Sequence, residues 1–336
     1  MRNHRLYYAD KIESLRDIFG TSQIVVARES ITVGDREYPV IDDVIVASSP
    51  EQYTPFVRRR LNAVAAPGVR QAMHAADIQF TFGAEWQTYD TLLPEHRQEF
   101  DRYFDLVDIQ GLKNARVADI GCGMGRWSYF LTDKVREIVL VDFSDAIFVA
   151  RKNLAGAANG IFIMADLQHL PLRDDCADFI FSLGVLHHLP IPCFDAVRSL
   201  KRYAPRLLIF LYYALDNRPA YFRALLGLVT LLRRAVCRIQ NPVFRRLFSQ
   251  AGVYGVYLPL IALGSAARLL GLSRFVPLYE FYHDKGLRRI EQDVYDRFFT
   301  RIEQRVTRRD IMLLRTDFSA VTLSEHIPYW HFLCVR

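Results

Sequence analysis

The sequence predicts an α/β fold: a doubly wound, mostly parallel sheet with an antiparallel C-terminal hairpin, a small N-terminal β unit and a helical insertion. Three observations predict it. Five short runs, Val117–Ile120, Ile138–Val141, Ile161–Ala165, Phe179–Ser182 and Leu207–Tyr212, are apolar without alternation. That is the pattern of strands buried on both faces of a covered parallel sheet. Helical spacing separates the first runs, with Trp127, Phe130 and Leu131 on one face and Ile147, Ala150, Arg151 and Leu154 along the next. Alternation of strand and helix marks a doubly wound domain. The first run also ends in a glycine-rich turn, Asp119-x-Gly121-x-Gly123-x-Gly125, that leads into a helix.

In chain order, residues 1–20 read as a short helical lead-in. Residues 21–47 alternate apolar and polar, with turn points at Gly34-Asp35 and Asp42-Asp43, and read as a small antiparallel β unit. Residues 48–77 are rich in Pro, Ala and Arg and read as a linker with weak helix, closing an N-terminal unit over 1–77. The sheet core is expected over 78–213. An apolar helical insertion or lid follows over 214–284. Residues 285–336 return to the core through charged helices and two short strands, Ala320–Ser324 and Tyr329–Val335, around His326-Ile327-Pro328. No internal repeat or low-complexity segment is present.

Composition narrows the function. The net charge of +6 over 336 residues falls short of the concentrated basic footprint of a dedicated nucleic-acid binder, so no nucleic-acid partner is expected. The five cysteines, Cys122, Cys176, Cys193, Cys237 and Cys334, are scattered without a C-x-x-C pair. This argues against a metal site and against a disulfide framework, and fits a reducing compartment. The N-terminal MRNHRLYYADKIESL has no apolar core of a signal peptide, so cytoplasmic residence is the expectation.

The glycine turn points to a nucleotide-like cofactor. Gly121 and Gly123 lack the Cβ that would hold a ligand off the backbone, and a helix N-terminus beyond the turn suits a carboxylate or phosphate. Arg126 stands where a dinucleotide fold has its third small residue. Asp142 ends the second strand, where an acid accepts from two ribose hydroxyls; a nicotinamide cofactor would use it in the same way. Asp166 ends the third strand, where a carboxylate can accept from an adenine amine while the Leu167 backbone reads the ring.

These residues, with the turn FSLGVLHHLP after the fourth strand, resemble in order and spacing four successive motifs of the class I S-adenosylmethionine-dependent methyltransferases. The resemblance covers roughly residues 80–213 and returns near the C-terminus. It implies S-adenosylmethionine as cofactor. Gly121, Cys122, Gly123 and Gly125 would approach its methionine part, with Asp119 beneath, near the amino group. Cys122 itself reads as a small packed side chain rather than a reactive thiol. Asp142, followed by Phe143, would hold the ribose, and Asp166 and Leu167 would face the adenine. Ser182, Leu183 and Gly184 would run beside the sulfonium. The segment Phe82-Gly83-Ala84-Glu85-Trp86-x-x-Tyr89 looks like the cap many such enzymes place over the cofactor. The N-terminal β unit is similar to the zinc-ribbon-like domain preceding some bacterial methyltransferases, here without cysteines and therefore metal-free.

Methyl transfer from a sulfonium is an in-line displacement in which alignment matters more than charge stabilisation. Aromatic faces hold such a cation without over-binding it; Trp86, Tyr89, Tyr212 and Tyr213 are the candidates. His187 and His188 follow the fourth strand, where either can serve as general base or pack structurally. Tyr295, with Asp296 and Phe298, resembles a substrate-side segment, with a solvated amphipathic helix as the alternative. The Asp/Asn-Pro-Pro-aromatic motif of many nitrogen methylators is absent; Ser182-Leu183-Gly184-Val185 takes its place. With the histidine pair present, an oxygen or carbon, and less so a nitrogen, of a small, lipophilic molecule is the expected methyl acceptor. A nicotinamide-dependent oxidoreductase and a non-catalytic cofactor-binding partner subunit remain the alternatives.

Within the insertion, residues 251–267 carry no charge, and 224–232 are similar between Arg223 and Arg233-Arg234. A membrane span wants about 20 apolar residues, and Pro259 interrupts the longer stretch. The segment reads as a helical lid, as the wall of an apolar substrate pocket, or as a peripheral membrane contact through 219–272 in which arginines meet anionic headgroups. The Arg58–Arg60, Arg288-Arg289 and Arg308-Arg309 runs read as solvated faces.

Overall fold

The computed structural model describes residues 6–63, 79, 83 and 90–336. Their strands are β1 (Ile24–Val26), β2 (Ser30–Val33), β3 (Arg36–Ile41), β4 (Val44–Val46), β5 (Arg116–Ile120), β6 (Glu137–Asp142), β7 (Gly160–Met164), β8 (Phe179–Leu183), β9 (Arg206–Phe210), β10 (Ala320–Leu323) and β11 (Phe332–Val335). They form one sheet in the order β1-β2-β3-β4-β7-β6-β5-β8-β9-β11-β10. The strands from β4 through β9 run parallel. β11 pairs antiparallel with β9, and β10 with β11.

Alternate residues of the central strands enter two different cores. Ala118, Ile120, Val139, Val141, Ile161 and Ile163 face one, and Val117, Ile138, Leu140, Phe162, Phe179 and Phe181 the other. Both faces being apolar is why these strands show no alternation in sequence. β6 and β8 flank β5 on opposite sides, so the strand order reverses there. A doubly wound sheet opens its ligand crevice at that point, beyond the carboxyl ends of the strands.

The N-terminal β unit has the expected turns. Gly34, Asp42 and Asp43 all take positive φ, at 62°, 47° and 62°. It is not a detached module, however. β4 pairs parallel with β7, Ile45 opposite Ile163 and Val46 opposite Met164, so the unit extends the main sheet. The reason is visible in β4 itself: Val44, Ile45 and Val46 are all fully buried, and three consecutive apolar residues satisfy a two-sided interior rather than a half-exposed ribbon. Tyr8 clamps the junction, donating to the Asp43 carbonyl at 2.6 Å while its hydroxyl accepts from the Phe162 amide at 3.2 Å.

The helix after the glycine turn is a single turn, Arg126–Tyr129, shorter than the sequence pattern suggests. The insertion departs further from expectation. Pro242–Arg268 is one helical run of 27 residues, not a segment broken at Pro259. A π-helical turn over Val253–Tyr257 precedes the proline, and this wider turn carries the helix past the missing amide. By length and composition it is the one helix among the described residues able to cross a membrane. It packs, with Ala220–Val236, on the helix Leu287–Phe299 through a third, smaller core that includes Val236, Val253, Tyr257, Val294 and Phe299.

Candidate functional site

A cavity of about 720 Å³ opens beyond the carboxyl ends of β5, β6, β7 and β8 and continues under the insertion. At one end lie Gly121, Cys122, Gly123, Asp142, Phe143, Asp166, Leu167, Leu183 and Gly184, all expected from sequence. The glycine turn is tied to β6: the Gly121 and Cys122 amides both donate to the Val141 carbonyl, at 2.8 and 3.0 Å. Gly121 has φ +78°, and a Cβ there would stand 2.5 Å from the Val185 side chain, so only glycine lets the two strand-end loops approach.

Asp142 orders that end of the cavity. Its Oδ2 accepts from the Gly123 amide at 2.8 Å, and its Oδ1 from the amide and hydroxyl of Ser144 at 2.8 and 2.7 Å. Burial raises its pKa despite these bonds. Asp166 accepts from the Gln52 side-chain amide at 3.0 Å and from the Gln168 amide at 3.0 Å. Gln52 comes from the short 3-10 turn after β4, within the stretch expected to be a linker. Gln79 then donates to the carbonyls of Gln52 and Phe143, at 2.8 and 3.1 Å.

Several expected residues stand behind the cavity rather than in it. Asp119 lies beneath the turn, 2 % exposed, accepting from the Ser128 hydroxyl at 2.6 Å. Burial raises its pKa to about 8. Gly125 does not line the cavity; its positive φ of 74° starts the following helical turn against Ala150 and Leu154. Ser182 donates to the Ile120 carbonyl at 2.8 Å and ties β8 to β5. Trp86 and Tyr89 lie outside the described residues, as do residues 64–77 of the expected linker.

The two histidines part company. His188 lines the cavity. Its Nδ1 lies 2.7 Å from the Ile302 carbonyl, which can only accept, so Nδ1 carries the proton in the neutral ring. His187 is fully buried behind it, its ring centroid 4.0 Å from that of Tyr212. Burial, with His188 and Arg305 adding to it, drives its pKa well below the usual histidine value. It does not line the cavity and fills the structural role.

The segment 302–306 holds this region together. Gln304 donates to the Leu189 and Ile191 carbonyls at 3.1 and 2.7 Å, and Val306 donates through its amide to the Tyr212 carbonyl at 3.0 Å. Tyr212 and Tyr213 both line the cavity, as expected. The Tyr212 hydroxyl donates to Asp296. Burial first and then Asp296 push its pKa well up, so it remains a phenol.

Of the far wall, the sequence singles out only Asp296, and Arg289, expected on a solvated face, is instead buried at 4% exposure. Arg289, Gln292, Asp293, Asp296 and Arg297 line the cavity from the helix Leu287–Phe299. Their spacing of three and four residues places them on one face. Tyr295 points the other way, accepting from Arg245 at 3.2 Å within the insertion core. Behind this wall Glu99 pairs with Lys285 at 3.1 Å and Arg289 at 3.2 Å. Burial alone would raise the Glu99 carboxyl, but Arg289, Arg126 and Lys285 outweigh it and hold the pKa at about 2. Arg126, read in sequence only as a departure from a dinucleotide motif, also lines the cavity. The remaining wall, Leu225, Leu226, Val229, Val256 and Leu260, is supplied by the insertion helices.

Residues 117–204 match the family described as a methyltransferase domain. Two curated relatives are malonyl-[acyl-carrier protein] O-methyltransferases. That of Geobacter sulfurreducens is 30% identical over 104 residues, which is 30% of this chain and 39% of the relative. That of Hamiltonella defensa is 35% identical over 81 residues, 24% of this chain and 30% of the relative. The chain thus spans well under half the length of these relatives. Among matching solved structures is a SAM-dependent methyltransferase from Aquifex aeolicus, with 25% identity and a TM-score of 0.34 over 44% of this chain and 84% of that one.

Proposed function

We propose that this chain, whose residues 117–204 match a methyltransferase domain, transfers a methyl group from S-adenosylmethionine to an oxygen or carbon of an amphipathic acceptor. One observation carries the reading: a single cavity joins the glycine turn, Asp142 and Asp166 to His188, Tyr212 and the insertion. The cofactor fits the residues present. Gly184, which lines the cavity, has φ +82°, and a Cβ there would meet nothing within 4 Å, so the space beside it is open. Asp142 keeps acceptor capacity toward a ribose beyond its three bonds, and Asp166 faces the adenine end. The bound cofactor supplies an electrophilic methyl group on a sulfonium.

The protein's own residues supply the rest. The walls exclude water and align the acceptor, the contribution that dominates a displacement of this kind. His188, on the cavity wall, takes the proton from an acceptor hydroxyl or carbon acid. The cavity is two-faced beyond the cofactor end, with charged side chains from Leu287–Phe299 opposite leucines and valines of the insertion. This supports an acceptor with a polar reacting end and an apolar body, rather than one that is apolar throughout. The relatives' named activity, methylation of an oxygen on a malonyl group, is in keeping with oxygen as the acceptor atom.

The test is binding followed by labelling. S-adenosylhomocysteine should bind the wild-type chain saturably while NAD does not, and Asp142→Ala should weaken that binding by roughly tenfold or more, the worth of hydrogen bonds to a charged acceptor. Methyl-labelled cofactor should then mark a small molecule in an extract of cells lacking the protein. Tight NAD binding would overturn the reading in favour of an oxidoreductase. Cofactor binding with no label in any extract would favour a non-catalytic subunit.

A further inference from the structure

Between Asp216 and Glu280 the chain has no Asp, Glu or Lys, and nine arginines. Arg223, Arg234, Arg238, Arg246, Arg268 and Arg274 are exposed. Among the described residues, the same segment carries most of the exposed large apolar side chains. Leu269 and Leu270 are 88% and 76% exposed, and Leu228, Leu231, Leu247 and Tyr254 are each more than half exposed. On the helix Ala220–Val236 the exposed Tyr221, Leu225, Leu228 and Leu232 recur every three or four residues and form one stripe. The inner side of the insertion is already occupied. Arg245 bonds to the Ile239 carbonyl and to Tyr295, Phe248 packs on Phe298 and Phe299, and Gly264 lies against Tyr279.

From this geometry we infer that the 217–279 insertion docks on an anionic lipid surface, with the cavity mouth facing the bilayer. Three points select this occupant. An apolar stripe flanked by arginine without any acid is the chemistry of an interfacial helix on anionic headgroups. A second copy of the chain meeting it about a two-fold axis would set the same unneutralised arginines against one another. Finally, the patch and the cavity share residues: Leu225 and Val256 line the cavity and are also 45% and 49% exposed. This part of the rim is therefore apolar, and the apolar body of an acceptor entering there from a bilayer does not cross water. The helix Pro242–Arg268 lies on the surface rather than spanning, because its contacts with Leu287–Phe299 and Tyr279 run along its length.

Entry of the acceptor from the bilayer rests on the methyl-transfer reading; docking does not, and its test needs no turnover. The full-length protein is mixed with vesicles of phosphatidylcholine alone or with phosphatidylglycerol and sedimented, at low and high salt. Binding is expected to the anionic vesicles and to fall with salt. Leu269→Ser/Leu270→Ser, outside the cavity, should weaken partition by roughly tenfold or more, while binding of S-adenosylhomocysteine and the circular dichroism spectrum stay unchanged. Arg268→Glu/Arg274→Glu should do the same and flatten the salt dependence. Protein that binds S-adenosylhomocysteine yet stays in solution with anionic vesicles overturns the inference. So does a dimer that dissociates on the leucine substitutions, or an acidic protein that captures the patch while vesicles do not. Loss of methyl incorporation with vesicle binding intact would instead sink the functional reading and leave docking standing.

Discussion

At the turn after β8 two adjacent histidines have opposite surroundings. His188 has Nδ1 fixed by the Ile302 carbonyl and its ring at the cavity wall. His187 lies between it and Tyr212, with neither ring nitrogen hydrogen-bonded among the described residues. His188 is therefore the histidine proposed as proton acceptor, and mutation separates the two roles. His188→Ala should lower kcat by about a hundredfold or more, the usual range for a lost general base, with the affinity for S-adenosylhomocysteine unchanged. His187→Leu, of similar volume, should keep kcat within severalfold and leave thermal stability equal or raised, since it removes a buried polar ring. Unchanged turnover in His188→Ala, or equal losses in both variants, would remove the assignment. A sequence shows two neighbouring imidazoles; which one meets the cavity depends on a carbonyl more than a hundred positions away.

At the scale of the element, legibility follows from what a residue pattern can encode. The strands β5 to β9 were readable because burial on both faces leaves an unbroken apolar run, and little else produces one. Their partner across the cavity was not. The stripe Arg289, Gln292, Asp293 and Asp296 has the spacing of any polar helix face, and water and a charged cavity demand the same residues there. Of the residues named together as a substrate-side segment, Asp296 lines the cavity and Tyr295 does not, because one position on a helix is a turn of about 100°. β4 was readable as a strand but not as an extension of the main sheet, because its partner β7 lies far along the chain. The insertion helices make the point quantitative through two glycines. Gly227 is exposed in Ala220–Val236 with nothing within 4 Å of a Cβ, so Gly227→Ala should raise stability by about 0.5–1 kcal/mol through helix propensity. A Cβ on Gly264 would stand 2.2 Å from the Tyr279 ring. Gly264→Ala should therefore lower stability by roughly 1–3 kcal/mol, as overpacking does. Thermal melts of the two variants should move in opposite directions. A gain in both would mean that the long helix is not seated on Tyr279.

For the whole molecule, the pH dependence of stability near neutrality follows from ionisable groups buried beneath the site. Asp119 has its pKa raised by burial to about 8, against about 4 in an unfolded chain. The folded protein keeps a proton the unfolded chain has released, so this contribution is fully present below about pH 4 and lost as pH rises through 8. His96 and His187 act in the opposite sense. Burial lowers the first to about 3, with Arg126 adding to it, and the second well below the usual value. Their neutral forms favour folding above about pH 6.5, the unfolded value, and that advantage is lost as pH falls toward 3. Acid therefore weakens the fold through the histidines, and the loss above pH 6.5 belongs to Asp119. One proton corresponds to about 1.4 kcal/mol per pH unit, so the ligand-free chain should lose roughly 2 kcal/mol between pH 6.5 and 8. Asp119→Asn keeps an oxygen for the Ser128 hydroxyl and removes the titration. Urea unfolding across this range should show the wild type falling while the variant stays level. An equal fall in both would mean that Asp119 is already ionised in the folded protein at neutral pH, and that the floor of the glycine turn carries a charge.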